Sequence, residues 1–282
     1  MNTQLQIDGQ SLAATQEVQI SNIRGIASRL KDAGTTSLEM GLKKKLHALQ
    51  WVYRWGWSSP SLIDTVASPN RRGLAKRLIE QGFLNSYPNQ AGGERGIPRQ
   101  AVCLTEKGQE FVEMRIEEAV GLLDQRHEGD IPWHQLRHDF LVQQTTVKML
   151  ADGQIISALS PKEFAGQSKV GIKQPDAVWI LGDGIRLGIE LELTRKKDGR
   201  ELNQTVLALI KSIGRGCGDG RVDMVAIFSG SNAILQNYRE CLKPGAEIKL
   251  YDRDTSRRWV EVGVAHVPDY VAGKFHFRKI DV

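Results

Sequence analysis

The sequence predicts an α/β protein in two parts: a basic helical module closed by a hairpin, then a layered core around a mixed sheet. Three observations predict it. Residues 38–104 carry ten Lys or Arg against four Asp or Glu, a surplus of six that exceeds the net +5 of all 282 residues. The same segment holds short amphipathic helices punctuated by Pro and Gly. Beyond residue 133, apolar runs and one strictly alternating run are interleaved with helical patterns, the order expected of an α/β layered core.

Residues 1–37 are polar, with one short helix expected near Ile23–Leu30, and read as an arm. Helical spacing starts at Ser37, and Leu38, Leu42, Leu46, Leu49 and Val52 form its stripe. In SSPSLIDTVASPNRRGLAKRLIEQGFL, Ser59 caps a helix with Pro60 at its first position. SPN breaks that helix, and a second is expected over Asn70–Gln81, stopped by Gly82. Arg71, Arg72, Lys76 and Arg77 would lie on its first turn and outer face. FLNSYP and RQAVCLT read as strands around the Gly-rich NQAGGERGIP, whose Arg95 sits near Arg99. A last helix follows Thr105. Trp51 and Trp55 stand at helical spacing and are expected in the core.

QRHEGDIP, residues 125–132, reads as a linker. A long helix is expected over 133–153, with Leu136, Phe140, Val147 and Leu150 buried. IISALS and KEF read as β. QPDAVWIL is a continuous apolar run, the mark of a strand covered on both faces. In IRLGIELELT, Leu187, Ile189, Leu191 and Leu193 point one way, and Arg186, Glu190, Glu192 and Thr194 the other. A helix, the strand VDMVAIFSG, a helix near Asn232–Cys241, then EIKLYD and RRWVEV complete the order.

No apolar run approaches the roughly 18 residues that span a bilayer, and the first residues lack the blocks of a signal peptide. A cytoplasmic protein without membrane contact is expected. The three cysteines are far apart, with no CxxC, against a zinc ribbon or disulfide framework. GRGCGDG lacks the Lys-Ser/Thr of a phosphate loop. FSGSNA has a serine but no paired base.

The basic helix pair and hairpin describe a helix-turn-helix that meets phosphate; a dimerisation module with a solvated basic face is the bland alternative. In the second half, Asp176 opens one strand of a hairpin, and Glu190 and Glu192 share a face of the other, about 7 Å apart. Three carboxylates gathered at one sheet end repel one another unless a cation sits among them. Mg²⁺ or Mn²⁺ would supply that charge, take oxygen ligands and activate water against a phosphodiester. The alternative is an amphipathic edge strand with both glutamates in water. His138, on the long helix, is a further candidate ligand; a packed or capping histidine is the competing reading.

These residues carry two resemblances. Residues 38–124 resemble the winged helix-turn-helix family. Pro175-Asp176 with Glu190 resembles the PD-(D/E)xK nucleases, which implies a restriction-endonuclease-like mixed-sheet domain over 133–282. Glu192 stands where that family usually has Lys, and Lys196, four residues on, could return the cation. The winged helix followed by LRHDFLVQQTTVKML, PDAVWIL and IELELTRK resembles the replication-relaxation family, which includes MOBC-type relaxases. That resemblance implies metal-dependent nicking of one strand at an origin of transfer. The site would comprise Asp176, Glu190, Glu192 and Lys196. Double-stranded DNA, relaxosome accessory and coupling proteins would be the partners, and a second copy of the chain is compatible with it. Three tyrosines, Tyr238, Tyr251 and Tyr270, carry equal weight as candidates for covalent attachment to DNA. Two alternatives share these features: a transposition or defence nuclease, and a non-catalytic initiator or regulator with an inactive nuclease-like domain.

Overall fold

The computed structural model describes residues 36–68, 71–89, 92–93, 96–116, 131–165, 172–196, 198–214 and 221–281. The chain is mixed α/β. Helix α1 (Ser37–Trp55) starts at a capping box in which Thr36 and Glu39 satisfy each other's backbone N–H, and ends at Gly56 in the left-handed region. Its expected stripe is only half covered. Leu49 and Val52 are buried, but Leu38 is 84% and Leu42 46% exposed, because among the described residues nothing packs on the first two turns. Helix α2 (Pro60–Ala67) has the expected Ser59 cap and Pro60 start.

Helix α3 (Leu74–Glu80) is shorter than expected. Gly73 takes φ 94, a conformation that would break a helix running through it. The Asp64 carboxylate, on α2, accepts from the Gly73 and Ala75 N–H groups at 2.8 and 2.9 Å, and so starts α3 from outside. Arg71 and Arg72 therefore precede the helix instead of occupying its first turn.

Strands β1 (Leu84–Pro88) and β2 (Gln100–Leu104) form an antiparallel hairpin as expected. Helix α4 (Glu106–Glu113) is capped by Thr105. It ends at Glu113, short of the run to Leu123 that the sequence suggests; residues 117–130, with most of the 125–132 linker, lie outside the described residues. The arm before Thr36, including its expected short helix, Arg95 and most of GRGCGDG also lie outside them.

The second half is built on α5 (Leu136–Ala151) and a five-stranded sheet of order β3-β4-β5-β6-β9. Its strands are β3 (Ser157–Leu159), β4 (Ala177–Ile180), β5 (Arg186–Leu191), β6 (Met224–Ser229) and β9 (Phe275–Lys279). β3, β4 and β5 are antiparallel neighbours, whereas β5-β6 and β6-β9 are parallel, so the sheet is mixed. Helices α7 (Gly199–Ser212) and α8 (Asn232–Cys241) pack with Val178, Val225 and Ile227 on one face; α5 packs with Ala177, Trp179, Ile189 and Leu191 on the other.

Three expectations change. KEF is not β: Pro161–Ala165 forms helix α6, because Ser160 and Glu163 make a capping box around Pro161. EIKLYD and RRWVEV do not extend the main sheet. They pair as a separate ribbon, β7 (Glu247–Arg253) with β8 (Trp259–His266), and the fifth place goes to β9. The buried side of α5 is also rotated. Leu136 and Val147 are buried as expected, but Leu141, Val142, Gln143 and Thr146 join them while Phe140 and Leu150 are only partly covered.

That rotation ties the two halves together. Trp51, Trp55, Leu62 and Val66 share one apolar cluster with α5 and the sheet. Within it Gln143 is fully buried and bonded through both its carbonyl and its amide. Its carbonyl accepts from Trp51 Nε1 (3.0 Å) and Ser58 Oγ (2.9 Å), and its amide donates to the Trp57 carbonyl (3.1 Å). Arg54 of α1 adds an ion pair to Glu163 of α6 at 2.7 Å. The site is thus seated against both halves.

Candidate active site

β5 is the middle strand of the sheet, not an edge. Ile189 and Leu191 point into the α5 side, which sends Glu190 and Glu192 to the α7/α8 side. Glu190 is 3% and Glu192 8% exposed, so neither is a solvated edge residue. Ala177 pairs with Ile189, which sets Asp176 opposite Glu190 at the end of the same pair of strands. Alternation alone is compatible with a solvated or a buried setting for these acids; the sheet order decides it.

Buried carboxylates need partners, and each acid has its own. Asp176 Oδ2 accepts from the Leu191 N–H at 2.7 Å and from His138 Nε2 at 3.1 Å. His138 Nε2 also lies 3.2 Å from the Leu191 carbonyl, and its Nδ1 lies 3.0 Å from Asp139 Oδ1. Glu190 accepts from the Lys173 ammonium. Glu192 accepts from the Tyr238 hydroxyl at 2.7 Å and pairs with Lys196 at 3.2 Å. The Ser229 hydroxyl, at the end of β6, holds the Glu192 carbonyl at 2.6 Å.

The charges follow from this geometry. Burial works against a charged His138, but hydrogen bonds and charge from Asp139 and Asp176 outweigh it and lift the imidazole to about 10. At neutral pH both ring nitrogens therefore donate. Burial would raise Asp176, yet His138, Lys173 and the Leu191 N–H hold it below the usual carboxylate range. Burial first, then the Asp176 charge, push Glu190 up to about 8, even against Lys173. Burial and Glu192 raise Tyr238, which stays a phenol and a donor.

Of the sequence-predicted residues, Asp176, Glu190, Glu192, Lys196 and His138 come together. Lys173, Asp139 and Tyr238 were not anticipated in these roles. Asp139 is adjacent to His138 in sequence, and Lys173 stands in the same KQPD run as Asp176, but nothing in their spacing says which acid each would meet. Of the described candidate tyrosines only Tyr238 bonds to a site acid. Arg71, Arg72, Lys76, Arg77 and Arg99 are all exposed on the first half.

No family model, curated protein or solved structure matches the chain. What the site can do follows from its own side chains. Among the described residues no group of three His, Cys, Asp or Glu side chains is arranged to hold a metal ion. The acids close instead on Lys173 and Lys196. In donor type the acids suit a hard divalent cation, and burial with the nearby Asp176 and Glu192 charges pushes Glu190 up, though their side chains are turned to separate partners.

Because His138 is protonated in the fold to about pH 10 and ordinarily to about 6.5, its contribution to stability is complete below 6.5 and is lost as pH rises through 10. His138→Gln should flatten this slope: the thermal midpoints of wild type and variant converge between pH 7 and 10. Parallel curves across that range would show that the pairing with Asp139 and Asp176 carries no proton linkage.

Proposed function

We propose that this protein is a metal-dependent DNA endonuclease that nicks one strand, in the manner of a relaxase acting at an origin of transfer on a mobile element. In this reading residues 38–124 are a winged helix-turn-helix that finds the site, and residues 133–282 are a PD-(D/E)xK-like nuclease domain that cuts it. The observation that carries the proposal is the half-buried Asp176, just before β4, set opposite the buried Glu190 of β5, with the buried Glu192 on the same face. Burial of two acids beside a third at one strand end is costly, and such arrangements concentrate where charge does work.

Asp176, Glu190 and Glu192 are the residues that would hold Mg²⁺ or Mn²⁺. When bound, that ion supplies Lewis-acid polarisation of the phosphodiester and a water of lowered pKa. The chain's own residues do the rest. His138 and the Leu191 N–H hold Asp176 ionised and aimed. Tyr238 fixes Glu192 in place. Lys173 supplies, from the segment before β4, the ammonium that Glu192 displaces from its usual position. Lys173 and Lys196 can face phosphate as point charges.

A nicking assay on supercoiled plasmid with Mg²⁺ and Mn²⁺ in parallel tests the proposal; absence of open circles under both ions, with a plasmid carrying the bound site, defeats it. A second reading is favoured by the internal neutralisation of the acids: Lys173, Lys196 and His138 already compensate them. Under that reading the chain is a non-catalytic DNA-binding initiator or regulator, and the same assay with a positive gel shift separates the two.

On the first half, Arg71 and Arg72 on the turn before α3, with Lys76 and Arg77 on its outer face and Arg99 just before β2, are the proposed DNA contacts, together with Arg95, which lies outside the described residues. Arg71→Ala with Arg72→Ala should weaken a gel shift, and the salt slope of log K should fall by about 0.9 for every phosphate that the variant no longer neutralises. Equal affinity and slope would remove this turn from the interface.

A further inference from the structure

We infer that Arg137 and Arg99 clamp one backbone phosphate of the nucleic acid at the hairpin loop, close to the phosphate that is cut, an inference that rests on the DNA-cutting proposal above. Arg99 stands just before β2 in the first half, and Arg137 in the first turn of α5 in the second. Their side chains meet the same loop. Gly93 and Gly96 take positive φ, 95 and 75, and the Gly93 N–H bonds to the Ile97 carbonyl at 3.2 Å, which closes the loop on itself. A Cβ on Gly93 would lie 3.1 Å from Arg99 Nε, and one on Gly96 would lie 3.2 Å from Arg137 Nε. Two guanidinium groups, one from each half, are thus laid on two glycines of one tight turn.

Neither arginine is used by the fold. Among the described residues neither side chain has an ion pair or donates a hydrogen bond. Arg137 Nε is buried and unbonded, a state that folded proteins seldom keep without a reason. Its two terminal nitrogens are not buried in this way, so they reach solvent as a fork. An arginine kept only to brace the loop would donate to the loop's carbonyls. This one covers Gly96 with its Nε edge and leaves its other donors free. Two like charges held at one loop without an ion pair repel each other, and an anion from outside relieves them. The planar fork of arginine suits phosphate, because it can bond two oxygens at once. Arg137 is followed directly by His138, whose imidazole lies 3.1 Å from Asp176. Consecutive Cα atoms are about 3.8 Å apart. A phosphate on Arg137 is therefore a near neighbour, along the strand, of the one that meets Asp176 and Glu190. The clamp sets which phosphodiester is presented to the acids.

Fluorescence anisotropy of the full chain with a labelled mixed-sequence duplex, titrated at several salt concentrations, tests the clamp. Arg137→Gln should weaken binding about fivefold and lower the salt slope of log K by about 0.9, the release tied to one phosphate. Arg137→Lys keeps the charge and should keep the slope. Because the two arginines share a phosphate, Arg137→Gln combined with Arg99→Gln should depart from the product of the single effects. An unchanged slope in Arg137→Gln, or single effects that simply multiply, overturns the clamp. So does a lysine variant as weak as the glutamine variant, which would trace the loss to packing on Gly96. Neither variant removes a hydrogen bond, so circular dichroism should show both folded. Nicking by wild type with no binding loss in Arg137→Gln retires the clamp alone. A slope lost in that variant, with no nicking by wild type, retires the endonuclease and keeps the clamp. A wild type that binds no duplex overturns both.

Discussion

Under the proposed endonuclease reading, Asp176→Ala and Glu190→Ala should abolish nicking while site binding in a gel shift stays intact. Specific affinity would come mainly from the basic first half, whereas the acids would meet the substrate phosphate only with a cation between them. Removing one should leave binding in EDTA unchanged or slightly tighter. The loss in rate should exceed the roughly 10–100-fold typical of losing an outer-shell partner of a metal site. Glu192→Gln is the informative substitution. It keeps the shape, and a carbonyl that can still accept from Tyr238, but removes the charge. A wild-type nicking rate for this variant would make Glu192 a positioning strut and reduce the site to Asp176 and Glu190. Circular dichroism must show each variant folded, because the acids are buried among apolar side chains and their loss disturbs packing as well as chemistry.

Lys173→Met should be among the most destabilising single substitutions in the chain. It leaves Glu190 buried against Asp176 with its direct cation gone, and breaking one side of a buried pair costs about 3–5 kcal/mol. The effect depends on pH in a definite sense. The fold already holds Glu190 at about 8 against an ordinary 4.5, so the folded state binds more protons than the unfolded one across that window. Stability from this group therefore falls as pH rises from 4.5 to 8. Without Lys173 the carboxyl keeps its proton to still higher pH, so the fall continues beyond pH 8. Urea midpoints of the variant and wild type should lie closer at pH 5.5 than at pH 8. A deficit equal at both pH values would mean that the methionine fails by packing and that the ammonium does not compensate the acids. Nicking by the same variant reports separately on Lys173 as the stand-in for the lysine that Glu192 replaces.

Local physics is legible where a residue acts on its near neighbours. The Ser59 cap with Pro60, the Thr105 cap, the hairpin β1-β2 and the alternation of β5 all follow from spacings of one to four residues, and all are present. The capping box of Ser160 and Glu163 is equally local, yet the apolar content around it reads as strand. The sequence by itself thus determined the α/β class, the basic first half, the place of the acids on one face of β5, and their company with Asp176. Only the tertiary structure decided the rest. Whether β7-β8 or β9 completes the sheet depends on which backbone finds the open side of β6, a choice made between segments far apart in the chain. Gln143 reads as a surface position on α5 until Trp51 and Ser58, 92 and 85 residues away, close over it. Glu190 and Glu192 became buried because β5 took the centre of the sheet, and burial is what obliges each acid to find a cation. Lys196, four residues from Glu192, was legible as its partner from spacing alone, whereas Lys173, 17 residues from Glu190, met it only through the fold.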